Sequence, residues 1–192
     1  VQVGDGGRVR VAGEPGAAGK LFRDVAGLWP WGRGRILLPS DGDIFCMPQR
    51  PYVPLGTLGD AVCYPTDPLT CNTETIHDAL RHTGLGTLIP RLAERDNWEQ
   101  SLPTESLQRL GFARLLIHRP RWIFLEEATS ALDTEAKTAM MTLLRNALPN
   151  ASIVTFSQDP VLAPFHQRHF ALLRADHVTR LTEQRTAGIA PA

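Results

Sequence analysis

Between Val9 and Ala12 the chain alternates apolar and basic residues, meets a glycine-rich turn from Gly13 to Gly19, and runs on into the helix-like stretch Lys20 to Ala26. That order predicts strand, loop, helix. Gly32 to Pro39 and Asp43 to Met47 each read as a short strand closed by glycine or proline. After a proline-rich loop, a weaker helical period from Thr57 to Gly86, best over Thr75 to Arg81, predicts a small helical subdomain covering about residues 57–118. Within it Leu107, Leu110, Ala113 and Ile117 recur every three or four residues, so a stronger helix with one apolar stripe is expected over Glu105 to Ile117. Arg121 to Glu126 is almost wholly apolar and predicts a buried strand. The period then changes to helical over Thr134 to Ala147, with Ala136, Met140, Leu143 and Ala147 inward. Ser152 to Phe156 predicts another buried strand, and Pro160 to Phe165 a short helix. Phe170 to Arg174 with His177 to Leu181 predicts a closing strand pair. Strands alternating with helices imply an α/β fold whose mostly parallel sheet is covered on both faces. The tail, residues 186–192, is expected to fray.

Composition narrows this picture in a few places. The length of 192 residues fits one domain, and 43% apolar with 21% charged residues is the balance of a soluble folded protein. Twenty basic and twenty acidic residues cancel, so no global field draws in nucleic acid or an anionic membrane. Apolar runs such as Leu115 to Ile117 fall far short of the roughly 20 residues that cross a bilayer, and no secretory leader is visible. Cys46, Cys63 and Cys71 form no CxxC pair and read as small buried residues in a reduced compartment. His118, His166, His169 and His177 lack a zinc-site context. Ser40 and Ser157 have no positional claim to a Ser–His–Asp set. Arg109, Arg114, Arg119 and Arg121, beside Trp122, read as the solvated side of a helix. Trp29 and Trp31 read as packing beneath a loop.

In an open α/β sheet ligands bind at the carboxyl ends of the strands. Four places qualify: the glycine loop, Gln49 after Met47, Glu126-Glu127 after Leu125, and Ser157-Gln158 after Phe156. The loop Gly13-Glu-Pro-Gly16-Ala-Ala-Gly19-Lys20 joins a strand to a helix, where backbone N–H groups and the helix dipole favour a phosphate. A phosphate loop requires Gly-x-x-x-x-Gly-Lys followed by Ser or Thr, however. Here Gly13 stands one residue too far from Gly19, and Leu21 replaces the hydroxyl. A ligand-free glycine turn is the competing reading. Adjacent carboxylates at a buried strand end repel by roughly 4 kcal/mol at 4 Å and an effective dielectric near 20, so Glu126-Glu127 calls for a cation, a substrate or water; one Glu solvated and one paired with arginine is the plainer alternative.

The run Glu126-Glu127-Ala-Thr-Ser-Ala-Leu-Asp133 resembles the end of a Walker B strand and the D-loop of an ATP-binding cassette domain. Ala26 to Ile36, Met47 to Leu58 and Gln108 to Trp122 are similar, in order and spacing, to the cassettes of peroxisomal fatty-acyl half-transporters (subfamily D) and bacterial peptide-uptake relatives. The resemblance covers Val9 to about Arg174. It implies a P-loop NTPase-like cassette core filling 1–192 as one nucleotide-binding domain. It also implies that the chain begins just before the phosphate-loop strand, without the upstream aromatic residue that stacks on adenine.

By the same resemblance, Gly13, Gly16, Gly19 and Lys20 cradle the phosphates of ATP, and Gln49 is the Q-loop residue near magnesium and the attacking water. Glu126 stands at the position of the magnesium-associated aspartate. Glu127 is the catalytic carboxylate, Asp133 belongs to the loop crossing a dimer interface, and Gln158 replaces the switch histidine. The implied partners are the transmembrane domain of a half-transporter and a second cassette in a head-to-tail dimer, at the cytosolic face of a membrane, with no nucleic acid.

The departures gather where nucleotide would be held. Besides the altered phosphate loop, Leu102-Pro-Thr-Glu-Ser106 replaces the signature Leu-Ser-(Gly/Leu)-Gly-Glu. Pro103 removes a donor, and Glu105 brings negative charge toward the partner's γ-phosphate. Glutamine at 158 hydrogen-bonds phosphate but takes no positive charge. The expected function is an ATP-coupling cassette with an impaired site, binding ATP and Mg2+ weakly or having lost them. The alternative is a non-catalytic, cassette-shaped regulatory or protein-interaction module. A kinase-like P-loop enzyme would leave the D-loop unexplained.

Overall fold

The computed structural model describes residues 1–29, 31, 35–39, 43–175 and 178–184. Gly32 to Gly34 of the expected second strand, Ser40, His177 and the tail fall outside these residues. In chain order the elements begin with β1 (Arg8–Gly13), whose Val9 and Val11 are buried. Next comes α1 (Pro15–Val25), which starts well before Lys20. Proline's fixed φ suits the first helical turn, and the alanines that follow favour helix, so the glycine-rich stretch winds up rather than looping. The amides of Ala17 and Ala18 donate to the Glu14 carbonyl at 2.9 and 3.0 Å. Ala18, Phe22 and Val25 then recur on the buried face.

The described part of the expected second strand, residues 35–39, is not a strand, and Leu37 is 82% exposed. Apolar sequence alone does not make a strand where no neighbouring edge takes up its backbone hydrogen bonds. The chain continues with β2 (Ile44–Met47), β3 (Gly56–Thr57) and α2 (Leu58–Cys63). The last is opened by a Thr57/Asp60 capping box. After a 3-10 turn at Pro68–Thr70, α3 (Thr73–His82) is capped by Asn72 and carries Arg81 and His82 where the helix dipole favours cations. A second 3-10 turn, Gly86–Arg91, leads to β4 (Arg95–Asp96), α4 (Trp98–Ser101) and α5 (Thr104–His118). Then follow β5 (Trp122–Glu126), α6 (Thr134–Ala147), β6 (Ser152–Phe156), a 3-10 turn at Pro160–Phe165, β7 (Arg168–Ala175) and β8 (Val178–Gln184).

The six-stranded sheet has the order β2-β5-β6-β1-β7-β8. β5, β6, β1 and β7 run parallel, with Ile123 opposite Ile153, Val9 opposite Val154 and Val11 opposite Phe170, and β8 closes antiparallel on β7. This is an α/β fold with a mostly parallel sheet and a C-terminal strand pair.

The chain forms two compact units. The first comprises residues 1–46, 120–127 and 150–192, and the second residues 47–119 and 128–149. In the sheet unit, α1 lies over β1, β5 and β6, and Phe22 meets Phe156 edge-on with ring centroids 5.8 Å apart. Beside α1 an apolar groove of about 770 Å³ stays open, lined in part by Leu21, Val25, Leu37, Phe124 and Phe156.

The second unit packs α2, α3 and α6 around α5. Its core joins Leu58, Val62, Leu80, Trp98, Leu107 and Leu110, each large side chain worth roughly 1.5–3 kcal/mol on burial. The single stripe expected on α5 is exceeded. Phe112, Leu115, Leu116 and the polar Gln108 and Arg114 are buried too, so the helix is enclosed nearly all round. Gly111 makes room for Met47, whose thioether a side chain there would strike.

Candidate functional site

In the sheet unit, β1, β5 and β6 deliver their carboxyl ends together because they are adjacent and parallel. Glu126 ends β5, and Glu127 follows with φ of 43°, a left-handed backbone that residues with a Cβ adopt at a cost and that clusters at functional sites. This turn is held: the Glu127 amide donates to the Phe156 carbonyl at 3.0 Å. Its carboxylate accepts the Ser157 hydroxyl at 2.9 Å and the Gln158 amide at 3.3 Å. The Gln158 side-chain amide donates to the Gly13 carbonyl, tying the end of β6 to the end of β1. Arg10 donates to the Gln158 carbonyl at 2.7 Å. Burial lowers the Arg10 pKa, while Asp159 and Glu127 pull it back up. The two adjacent carboxylates thus have separate surroundings.

Glu126 turns toward α1. A Cβ on Gly19 would lie 2.6 Å from its Oε1, so glycine leaves room for the longer acid. Gly16 and Gly19 lie within α1, where Pro15 has no N–H and the next amides serve the Glu14 carbonyl. Lys20 is exposed, its ammonium 5.8 Å from the centre of the Trp29 ring, and Arg23 covers the same ring at 5.4 Å. Leu21 joins the apolar cluster around Phe22 and Phe156. The glycine stretch is thus the first turns of a helix rather than an open loop.

Gln49 and Asp133 belong to the second unit. Gln49 is exposed and donates to the Ser130 hydroxyl at 3.1 Å. Fully buried Gln108 donates to the Gln49 carbonyl and to Ser130, both at 3.0 Å, and accepts the Ala131 amide at 2.9 Å. One glutamine on α5 therefore binds the backbone at Gln49 to the backbone at Ala131. Asp133 caps α6, accepting the Ala136 amide at 2.8 Å. Pro103 precedes α5, and Glu105 pairs with Arg109 at 2.9 Å.

Several expectations are corrected. Arg114 is not solvated: it is 3% exposed and donates to the carbonyls of Ala61 and Tyr52, and burial lowers its pKa to about 10. Trp31 is 72% exposed rather than packed beneath a loop. Cys46 and Cys71 are only partly buried, unlike Cys63. Sequence reasoning also missed Arg10, Gln108 and the Ser157 contact. Arg10 had one signal, a basic residue alternating with valines in a central strand. Among the described residues, no group of three or more His, Cys, Asp or Glu is placed to hold a metal, and no helix is long and apolar enough to cross a membrane.

No family model matches this chain. It is 35% identical over 164 residues to an uncharacterized ABC transporter ATP-binding protein of Haemophilus influenzae, covering 84% of this chain and 27% of that protein. It is 35% identical to ABC transporter D family member 1 of Arabidopsis thaliana, covering 86% of this chain and 13% of the relative. It is 36% identical to human ATP-binding cassette sub-family D member 3, covering 71% and 22%. The chain therefore spans about a quarter or less of the length of these relatives. A bacterial Atm1-family ABC exporter structure with ATP bound superposes with a TM-score of 0.76 over 89% of this chain and 32% of that one, at 19% identity. The homologues of this chain are thus ATP-binding cassette transporter ATP-binding proteins, subfamily D members among them, and its fold is one found within an ABC exporter.

Proposed function

We propose that this chain is the ATP-binding cassette of a membrane half-transporter, coupling ATP binding and hydrolysis to transport through a nucleotide site whose phosphate grip is impaired. The observation that carries the reading is the Glu127 carboxylate, held at the end of β5 by Ser157 and the Gln158 amide, with Gln158 tied to the Gly13 carbonyl. A carboxylate so oriented takes a proton from an attacking water. Glu126 is the residue of the sheet unit that would hold Mg2+, whose charge would offset that of the phosphates, and Lys20 would bring positive charge toward ATP. Impairment is supported by the early start of α1, the placement of Leu21 in the apolar cluster and the absence of a switch histidine. A transmembrane domain, a second cassette bound head to tail and a place at the cytosolic face of a membrane complete the proposal. Since a homodimer repeats each departure twice, a competent second cassette is the partner that restores turnover.

The test is melting of the purified chain with ATP and Mg2+, alongside turnover by the chain and by Glu127→Gln. Nucleotide at 100 times its Kd should stabilise the fold by about 2.7 kcal/mol. Glu127→Gln should keep that shift and lower any turnover by about 100-fold or more. An unchanged melting temperature at millimolar ATP would overturn the enzyme reading. It would favour the second one, a non-catalytic cassette-shaped interaction module, for which the wound-up phosphate turn is the specific support.

A further inference from the structure

Three residues from distant parts of the second unit close a ring of hydrogen bonds. Gln108 sits on α5, fully buried, while Gln49 and Ser130 are exposed. The Gln108 Nε2 donates to the Gln49 carbonyl and to the Ser130 hydroxyl, both at 3.0 Å, and the Gln49 Nε2 donates to the same hydroxyl at 3.1 Å. All three belong to one compact unit, although 59, 22 and 81 residues separate the pairs. Chemistry fixes the Gln108 amide end for end. A backbone N–H only donates and a carbonyl only accepts, so the Ala131 amide, 2.9 Å away, holds Oε1 and the Gln49 carbonyl holds Nε2. A leucine at 108 would bury without the cost of desolvating an amide. The glutamine instead specifies one arrangement of the two segments.

We propose that Gln108 and Ser130 are positioning residues for Gln49, which they hold at two points so that its side-chain nitrogen faces inward and its oxygen outward. Gln108 holds the backbone carbonyl. Ser130, itself bonded to Gln108, takes the side-chain nitrogen. The Gln49 Oε1 then meets no donor among the described residues. An amide oxygen turned to solvent accepts from water or ligates a hard cation, whereas an outward nitrogen would meet a phosphate oxygen. The polarity of this one amide thus decides what Gln49 recognises. Hydrogen bonds in a closed ring polarise one another, so losing one loosens the rest. The use of the oxygen rests on the nucleotide reading above; its orientation does not.

The experiment reads the Gln49 side-chain amide by NMR in the nucleotide-free chain. One of its two protons should exchange with water about tenfold more slowly than the other, because it is bonded to Ser130. Ser130→Ala should remove that difference and leave the Ala131 backbone amide protected, and Ser130→Thr, which keeps the hydroxyl, should restore it. Gln108→Met should release both the Ala131 amide and the Gln49 side chain. With ATP and Mg2+, Ser130→Ala should lower kcat about tenfold with KM little changed, and Ser130→Thr should recover it. Two equally exchanging Gln49 protons in the wild type, or an unchanged Gln49 amide in Ser130→Ala, would overturn the positioning, as would equal kcat in all three chains. A wild-type chain that turns over no ATP overturns the nucleotide reading instead, and the amide signals, taken without nucleotide, still decide the orientation. Ser130 is exposed, so the result does not depend on how Gln108→Met folds.

Discussion

Two strand ends lie side by side in the sheet unit and differ in how the chain has treated them. At the end of β5 and β6, Glu127 is held by a hydroxyl, two backbone contacts and a left-handed turn. At the end of β1, the glycine turn has become the first turns of α1, its early amides serve Glu14, and the residue after Lys20 is apolar. The contrast teaches that neighbouring strand ends in one sheet are organised by different kinds of contact. The first depends on side-chain contacts to a neighbouring strand, the second on loop length and on which residues wind into helix.

The largest expected effect tests how firmly the β6 end is anchored. His166 is buried, with Nδ1 2.8 Å from the Leu162 carbonyl and Nε2 2.8 Å from the Thr155 hydroxyl. The carbonyl only accepts, so the neutral ring carries its proton on Nδ1 and accepts from Thr155. Burial first, then the nearby His169, Arg10 and Arg8, lower its pKa from 6.5 to about 4. The unfolded chain takes up a proton that the folded chain refuses. This contribution to stability is therefore complete above about pH 6.5 and is lost as pH falls toward about 4, by roughly 3 kcal/mol in all. Melting curves between pH 7 and pH 4.5 should fall more steeply for the wild type than for His166→Gln; equal slopes would show that β6 has no such anchor.

The next test alters the β1 end. Leu21→Ser alone should lower stability by about 1 kcal/mol, through its loss from the apolar cluster, and should leave ATP affinity nearly unchanged. Deleting Ala18 in that background brings Gly13 and Gly19 to phosphate-loop spacing and should tighten ATP binding about tenfold by calorimetry, near 1.4 kcal/mol. No gain would mean that loop length does not limit ATP affinity.

The smallest effect concerns the contact between the two ends. Gly19→Ala should be destabilising because its Cβ meets the Glu126 carboxylate. The cost should shrink by about 1 kcal/mol in a Glu126→Asp background, where the acid is one methylene shorter. Additive costs in a denaturant double-mutant cycle would mean that Glu126 moves aside freely.

Much of the frame is legible in the residues. β5, α6 and β6 fall where expected because two short apolar runs flank a helical period opened by Asp133. Glu127 and Gln158 are legible as strand-end residues for the same reason. Arg114 is not, since its acceptors at Ala61 and Tyr52 lie 53 and 62 residues earlier, and charge periodicity cannot see a distant carbonyl. Nor is the fate of residues 35–39, because whether an apolar run becomes a strand depends on what lies beside it.

By itself, then, the order of apolar runs and helical periods determined the α/β class, the parallel strand–helix succession and the strand ends at which chemistry would gather. These are local properties, carried by neighbours a few residues apart. Only the tertiary structure decided that Ser157 and Gln158 hold Glu127 and that Gln108 joins Gln49 to Ser130. Each of these rests on backbone and side-chain groups far apart in the chain finding hydrogen-bond partners once buried, a requirement that no stretch of residues meets alone.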